Sequence, residues 1–86
     1  MNLYYVTFPL KYNQNAHPLF PGIIDGNSII EIEAENETQA REFITDHFDI
    51  NWAFLYPNDM LEGLYEANHN ACIIGKITHK NKLEFS

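Results

Sequence analysis

The chain has 86 residues, with 12 Asp and Glu against 5 Lys and Arg and a formal net charge of −7. That length fits one domain over residues 1–86. A lone cysteine, Cys72, excludes an intrachain disulfide, and so acidic a balance argues against direct nucleic-acid binding, which depends on Lys and Arg neutralising phosphates.

No apolar run approaches the ~18 residues of a membrane helix, and the first residues lack the basic start, apolar run and cleavage site of a secretory leader. The expected setting is therefore intracellular and away from membranes. A core this small gives little net stability, which favours a homo-oligomer.

Residues 3–8, LYYVTF, predict a strand, with Tyr4, Val6 and Phe8 on one face and Leu3, Tyr5 and Thr7 on the other. Apolar bulk on both faces fits a central strand or a sheet covered on both sides. Residues 9–27 hold three prolines and two glycines and predict a long connection. Its Leu10, Tyr12, Leu19, Phe20, Ile23 and Ile24 leave two readings open: an ordered flap over the core, or apolar anchors for a partner. Asp25-Gly26-Asn27 is a turn signal.

Residues 28–34, SIIEIEA, alternate as a half-buried strand, with Ile30, Ile32 and Ala34 inward and Ile29, Glu31 and Glu33 outward. Asn36 then caps a helix by accepting from Gln39, which reaches back as in a capping box. Ala40, Phe43, Ile44, His47 and Phe48 form its apolar face, Glu37 and Arg41 are spaced to pair, and the helix is expected to end near Phe48–Asp49.

Residues 51–56, NWAFLY, predict a third strand with Trp52, Phe54 and Tyr56 on one face. Residues 59–66 predict a short helix capped by Asp59 and weakened by Gly63. Residues 71–78 predict a fourth strand with a bulge at Gly75. The tail from His79 either adds an edge strand through Leu83 and Phe85 or frays. The fold class is α+β: a four-stranded antiparallel or mixed sheet, β-β-α-β-(short α)-β, with the main helix on one face. The other face is expected to carry tyrosines and outward carboxylates.

No arrangement of residues carries a recognisable catalytic chemistry. His69-x-x-Cys72, with His17 and His79 elsewhere, lacks the second well-spaced pair of a zinc site and reads as a turn histidine beside a core cysteine. Cys72 has no cationic setting to activate it as a nucleophile. Glu31 and Glu33 read as solvated strand carboxylates, and the four glycines are too scattered to cradle a phosphate. The chain reads as a non-enzyme with no metal and no cofactor.

Charge and aromatics remain. From Asp25 to Glu66 eleven acids face a single base, Arg41. Glu31, Glu33, Glu37, Glu42 and Asp46 are the candidate acidic binding surface for a basic protein partner. Tyr12, His17, Phe20 and Tyr56 are a second candidate set, because Tyr combines stacking area with a polar tip and the stiff HPLFP segment loses little entropy on binding.

The succession YYVTF, Lys11-Tyr12, HPLFP, DG, IEIEAENETQAREF and NWAFLY, over roughly residues 4–56, is similar to small accessory proteins encoded by bacteriophages. The resemblance implies an inhibitor of bacterial immunity in the cytoplasm of an infected host, one that binds a basic defence protein in the manner of anti-CRISPR proteins. The alternative it implies is a sponge that sequesters a nucleotide immune signal in an oligomer pocket. It assigns no functional residue.

Overall fold

The computed structural model describes residues 1–12 and 17–86; residues 13–16 of the long connection lie outside the described residues. Five strands, β1 (Asn2–Thr7), β2 (Ser28–Ala34), β3 (Leu55–Pro57), β4 (Cys72–Ile77) and β5 (Leu83–Phe85), form one mixed sheet in the order β3-β1-β2-β4-β5. Helix α1 is Glu37–Phe48 and helix α2 is Leu61–Ala67. The β2–β4 pair is parallel and the other three pairs are antiparallel. The α+β class holds, with five strands in place of four because the tail forms β5.

Strand β1 is interior, which accounts for apolar bulk on both its faces: Val6 is buried on one and Tyr5 on the other. Helix α1 lies on the face that carries Val6, Phe8, Ile30, Ile32, Ala34 and Ile77, and closes it with Ala40, Ile44 and Phe48. This is the helix face of the sheet; the opposite one is the far face.

The start of α1 follows from two side chains. Asn36 Oδ1 accepts from the Gln39 N–H at 2.8 Å, and Gln39 Oε1 accepts at 2.8 Å from the Glu35 N–H, one residue before the cap. The helix stops at Phe48 because Asp49 takes φ 55°, in the left-handed region.

Strand β4 carries one extra residue. Ile29 faces Ile73 but Ile30 faces Gly75, so Ile74 is the bulge and packs against the core. Gly75 is required here: a Cβ on it would lie 2.6 Å from the Glu84 carbonyl oxygen. Its absence lets β5 approach.

Five expectations are corrected. Regular pairing in the third strand covers only Leu55–Pro57, preceded by backbone bonds between Thr7 and residues Ala53 and Phe54. Trp52 and Leu55, three apart, both pack on the core while Phe54 is exposed, so Trp52, Phe54 and Tyr56 do not share a face. Strict alternation cannot turn residues three apart to one side. Asp59 does not cap α2; it sits in a 3-10 turn, Asn58–Met60, and the residue before α2 makes no side-chain cap bond. Ile29 is buried, because Leu64, Ala67, Asn68 and Ala71 of α2 and its C-terminal turn stand over that end of the far face. Cys72 is exposed at the start of β4 and is no core cysteine.

Candidate functional site

A row of side chains crosses the far face. The register places Tyr56 opposite Tyr5, Tyr5 opposite Glu31, Glu31 opposite Lys76 and Lys76 opposite Glu84. The Tyr5 hydroxyl donates to Glu31 Oε1 at 3.1 Å and is shared with Asn58 Oδ1 at 3.3 Å. Burial first, and the Glu31 carboxylate second, push the Tyr5 phenol above its ordinary value. Glu33, on the same face, accepts from the His79 backbone N–H at 3.3 Å, and its carboxylate lies 3.8 Å from His79 Nδ1. Both glutamates are therefore half-buried and engaged.

Glu37, Glu42 and Asp46 are exposed on α1, on the other side of the sheet; Glu42 and Asp46, four residues apart, share its solvent side, while Glu37 stands in the first turn, half a turn round from Asp46. Glu37 bonds Arg41 at 3.2 Å, and the Arg41 guanidinium sits 5.6 Å from the Trp52 ring centre. Asp46 accepts from Asn81 Nδ2 at 2.8 Å. Glu42 is exposed. Counting Glu35 and Asp49 at its ends, α1 presents five carboxylates against one guanidinium, and that guanidinium, itself exposed, is paired with Glu37 and leans over Trp52. The five acids singled out from the sequence thus form two groups: Glu31 and Glu33 on the far face, and Glu37, Glu42 and Asp46 on α1. Alternation explains the split, since α1 covers the isoleucines that the strand glutamates point away from.

The loop residues are brought together, but inward. His17 is 1% exposed and Tyr12 is 7% exposed, so these two pack inward as in a flap, with Ile24 buried as well, whereas Leu10, Leu19 and Ile23 of the same connection are exposed. His17 stacks edge-on with Phe8, Tyr12 and Phe48 and tilts against Phe20. Its Nε2–H donates to the Asn51 carbonyl at 2.8 Å, while Nδ1 accepts from the backbone N–H groups of Leu19 at 3.0 Å and Phe20 at 3.3 Å. These partners select the tautomer and leave no nitrogen for a ligand. Tyr12 donates to Asn51 Oδ1 at 3.3 Å. Phe20 is half-buried between Phe48 and Phe85. Tyr56 stays apart from this group, on the far face beside Phe54.

Asn51, Asn58 and Asn81 were not singled out from the sequence, yet each holds a buried or half-buried ring. Asn81 does so at the far end of α1, where its carbonyl and Oδ1 share the His47 Nε2–H, each at 3.0 Å. Asparagines at element ends carry turn signals, but nothing in the sequence shows which distant ring they receive.

A hollow of about 310 Å³ opens between α2 and the far face, lined by Thr7, Ile29, Phe54, Tyr56 and Leu64 among others, with no Lys or Arg in its walls. Among the described residues no group of three His, Cys, Asp or Glu is placed to hold a metal ion. Among the same residues no helix is long and apolar enough to cross a membrane. Comparison with protein-family models, with curated proteins and with solved structures finds no match for this chain.

Proposed function

We propose that this protein acts by binding and not by catalysis, with the exposed side of α1 as its contact for a basic protein. The observation that carries the reading is the position of Arg41. The only Lys or Arg on the helix is paired with Glu37 and laid toward Trp52, which leaves Glu42 and Asp46 facing solvent. A one-sign ridge of this kind attracts an opposite surface over about a Debye length, 8–10 Å at ordinary salt. The similarity to bacteriophage accessory proteins supplies the class of target, a basic effector of bacterial immunity, and the infected bacterial cytoplasm as its place.

The nucleotide-sponge reading draws less support. Phosphates call for cations or free backbone donors, whereas the apolar hollow has neither Lys nor Arg in its walls and the loop set of Tyr12 and His17 is buried.

The test is capture from a bacterial lysate on immobilised protein, with mass spectrometry of what is retained. Wild type is expected to hold a basic protein that elutes as salt is raised. The α1 double variant E42K/D46K is expected to lose it, whereas substitution of Glu31, on the far face, has little effect. Retention of the same protein by E42K/D46K would remove the reading.

A further inference from the structure

We propose that β5 is a self-association edge, at which two copies of this chain join their sheets by antiparallel β5–β5 pairing about a two-fold axis at Leu83. The inference is independent of what α1 binds.

Strand β5 stands at one end of the strand order. Thr78 N–H donates to the Lys82 carbonyl at 2.9 Å and Ser86 N–H donates to the Ile74 carbonyl at 2.9 Å. In an antiparallel ladder the bonded residues alternate, so Lys82, Glu84 and Ser86 turn their backbone groups toward β4. Leu83 and Phe85 turn theirs outward, as a template for another strand. The opposite edge, β3, is blunted: it ends in Pro57, which has no N–H to offer, and runs directly into the turn that holds Asp59.

The register follows from which backbone groups are free and from charge. Only odd-numbered residues offer free groups, so odd residues must bond odd ones, which axes at Leu83, Glu84 and Phe85 all allow; charge decides among them. An axis at Leu83 sets Lys82 opposite Glu84 of the second copy and Glu84 opposite its Lys82, two cross-strand ion pairs made by one operation. An axis at Phe85 sets Glu84 opposite Ser86 of the second copy and gives it no opposite charge. An axis at Glu84 would pair Leu83 with Phe85 through the same free groups but would set Glu84 opposite Glu84, like charge against like.

The pairing also continues a pattern already built across the far face. The row reads Glu31, Lys76, Glu84 from β2 to β5, alternating in sign, and Lys82 of the second copy adds the next positive charge. Lys82 and Glu84 are both exposed and ready to meet it. On the helix face, Leu83 meets Leu83.

The edge is three residues long, so the dimer is weak, with a dissociation constant on the order of 100 µM. Sedimentation equilibrium over a range of concentrations is expected to show it, more strongly at low salt. K82E and E84K each set like charges opposite and are expected to weaken association about tenfold. The double variant K82E/E84K restores two opposite pairs and is expected to recover it.

In the wild type, amide exchange at Leu83 and Phe85 is expected to slow as concentration rises. This readout needs no variant. A monomer at every concentration, a dimer indifferent to both reversals, a double variant as weak as the singles, or Leu83 and Phe85 amides that exchange equally fast at all concentrations would each overturn the proposal.

Discussion

The imidazole of His17 holds the carbonyl of Asn51 at 2.8 Å, and this bond fastens the proline-rich flap to the end of α1. The ring lies in an aromatic box of Phe8, Tyr12, Phe20 and Phe48, and both its nitrogens are satisfied. His17→Ala removes a buried ring and strands three backbone groups, so urea denaturation is expected to show a loss of about 2–4 kcal/mol. Asn51→Ala keeps the carbonyl and loses only the Tyr12 bond, a cost of about 1 kcal/mol. Equal losses for the two variants would mean that the His17 bond does not fasten the flap.

Gly75 and Glu84 stand in a second close relationship. A methyl group on Gly75 would sit 2.6 Å from the Glu84 carbonyl oxygen and 3.1 Å from the Phe85 Cα, both backbone atoms that cannot swing aside. Gly75→Ala is therefore expected to push β5 off β4 and to cost about 1–3 kcal/mol. Hydrogen exchange is expected to speed up at Glu84 and Ser86, whose N–H groups face β4, while the β1 and β2 amides keep their protection. Unchanged exchange at Glu84 and Ser86 would show that the sheet absorbs the methyl group elsewhere.

What the sequence made legible divides along physical lines. The helix start was readable because Asn36 and Gln39 are local and their partners lie within four residues. The faces of β1 and β2 were readable because alternation needs no knowledge of the rest of the chain. The place of His17 was not, because its partner is a backbone carbonyl, a group that every residue has and no side chain announces. Trp52 and Leu55 break alternation to reach one core, and only the packed structure demands that. The burial of Ile29 depends on α2, a short helix whose Gly63 and missing side-chain cap leave a weak signal. For the candidate site, each acid's strand or helix was evident, but the separation of Glu31 and Glu33 from Glu37, Glu42 and Asp46 follows from which face α1 covers.

Tyr5 offers a test by pH. Its phenol is raised by burial and by the Glu31 carboxylate, so the folded state keeps the proton where the unfolded chain, near 10, begins to lose it. A group raised in this way contributes stability that is fully present below its unfolded value and disappears as pH climbs through the folded one. Wild-type stability is thus expected to fall steeply above about pH 10. Tyr5→Phe, lower by about 1 kcal/mol at neutral pH for the lost hydrogen bond, is expected to show a shallower fall. Parallel pH profiles for the two proteins would rule out this coupling.

Arg41 supplies the sharpest test of the binding surface, because its two roles predict opposite effects. It packs over Trp52 and pairs with Glu37, both at the protein surface, so Arg41→Gln is expected to lower stability by no more than about 1 kcal/mol. The same change removes the one Lys or Arg from a helix that carries five carboxylates along its length and ends. If the exposed side of α1 meets a basic partner, Arg41→Gln will associate faster at low salt, by about twofold, and the gain will vanish as salt screens the field. A less stable protein that binds faster cannot be explained by damage to the fold. A variant whose association rate is unchanged at every salt concentration places the contact away from α1.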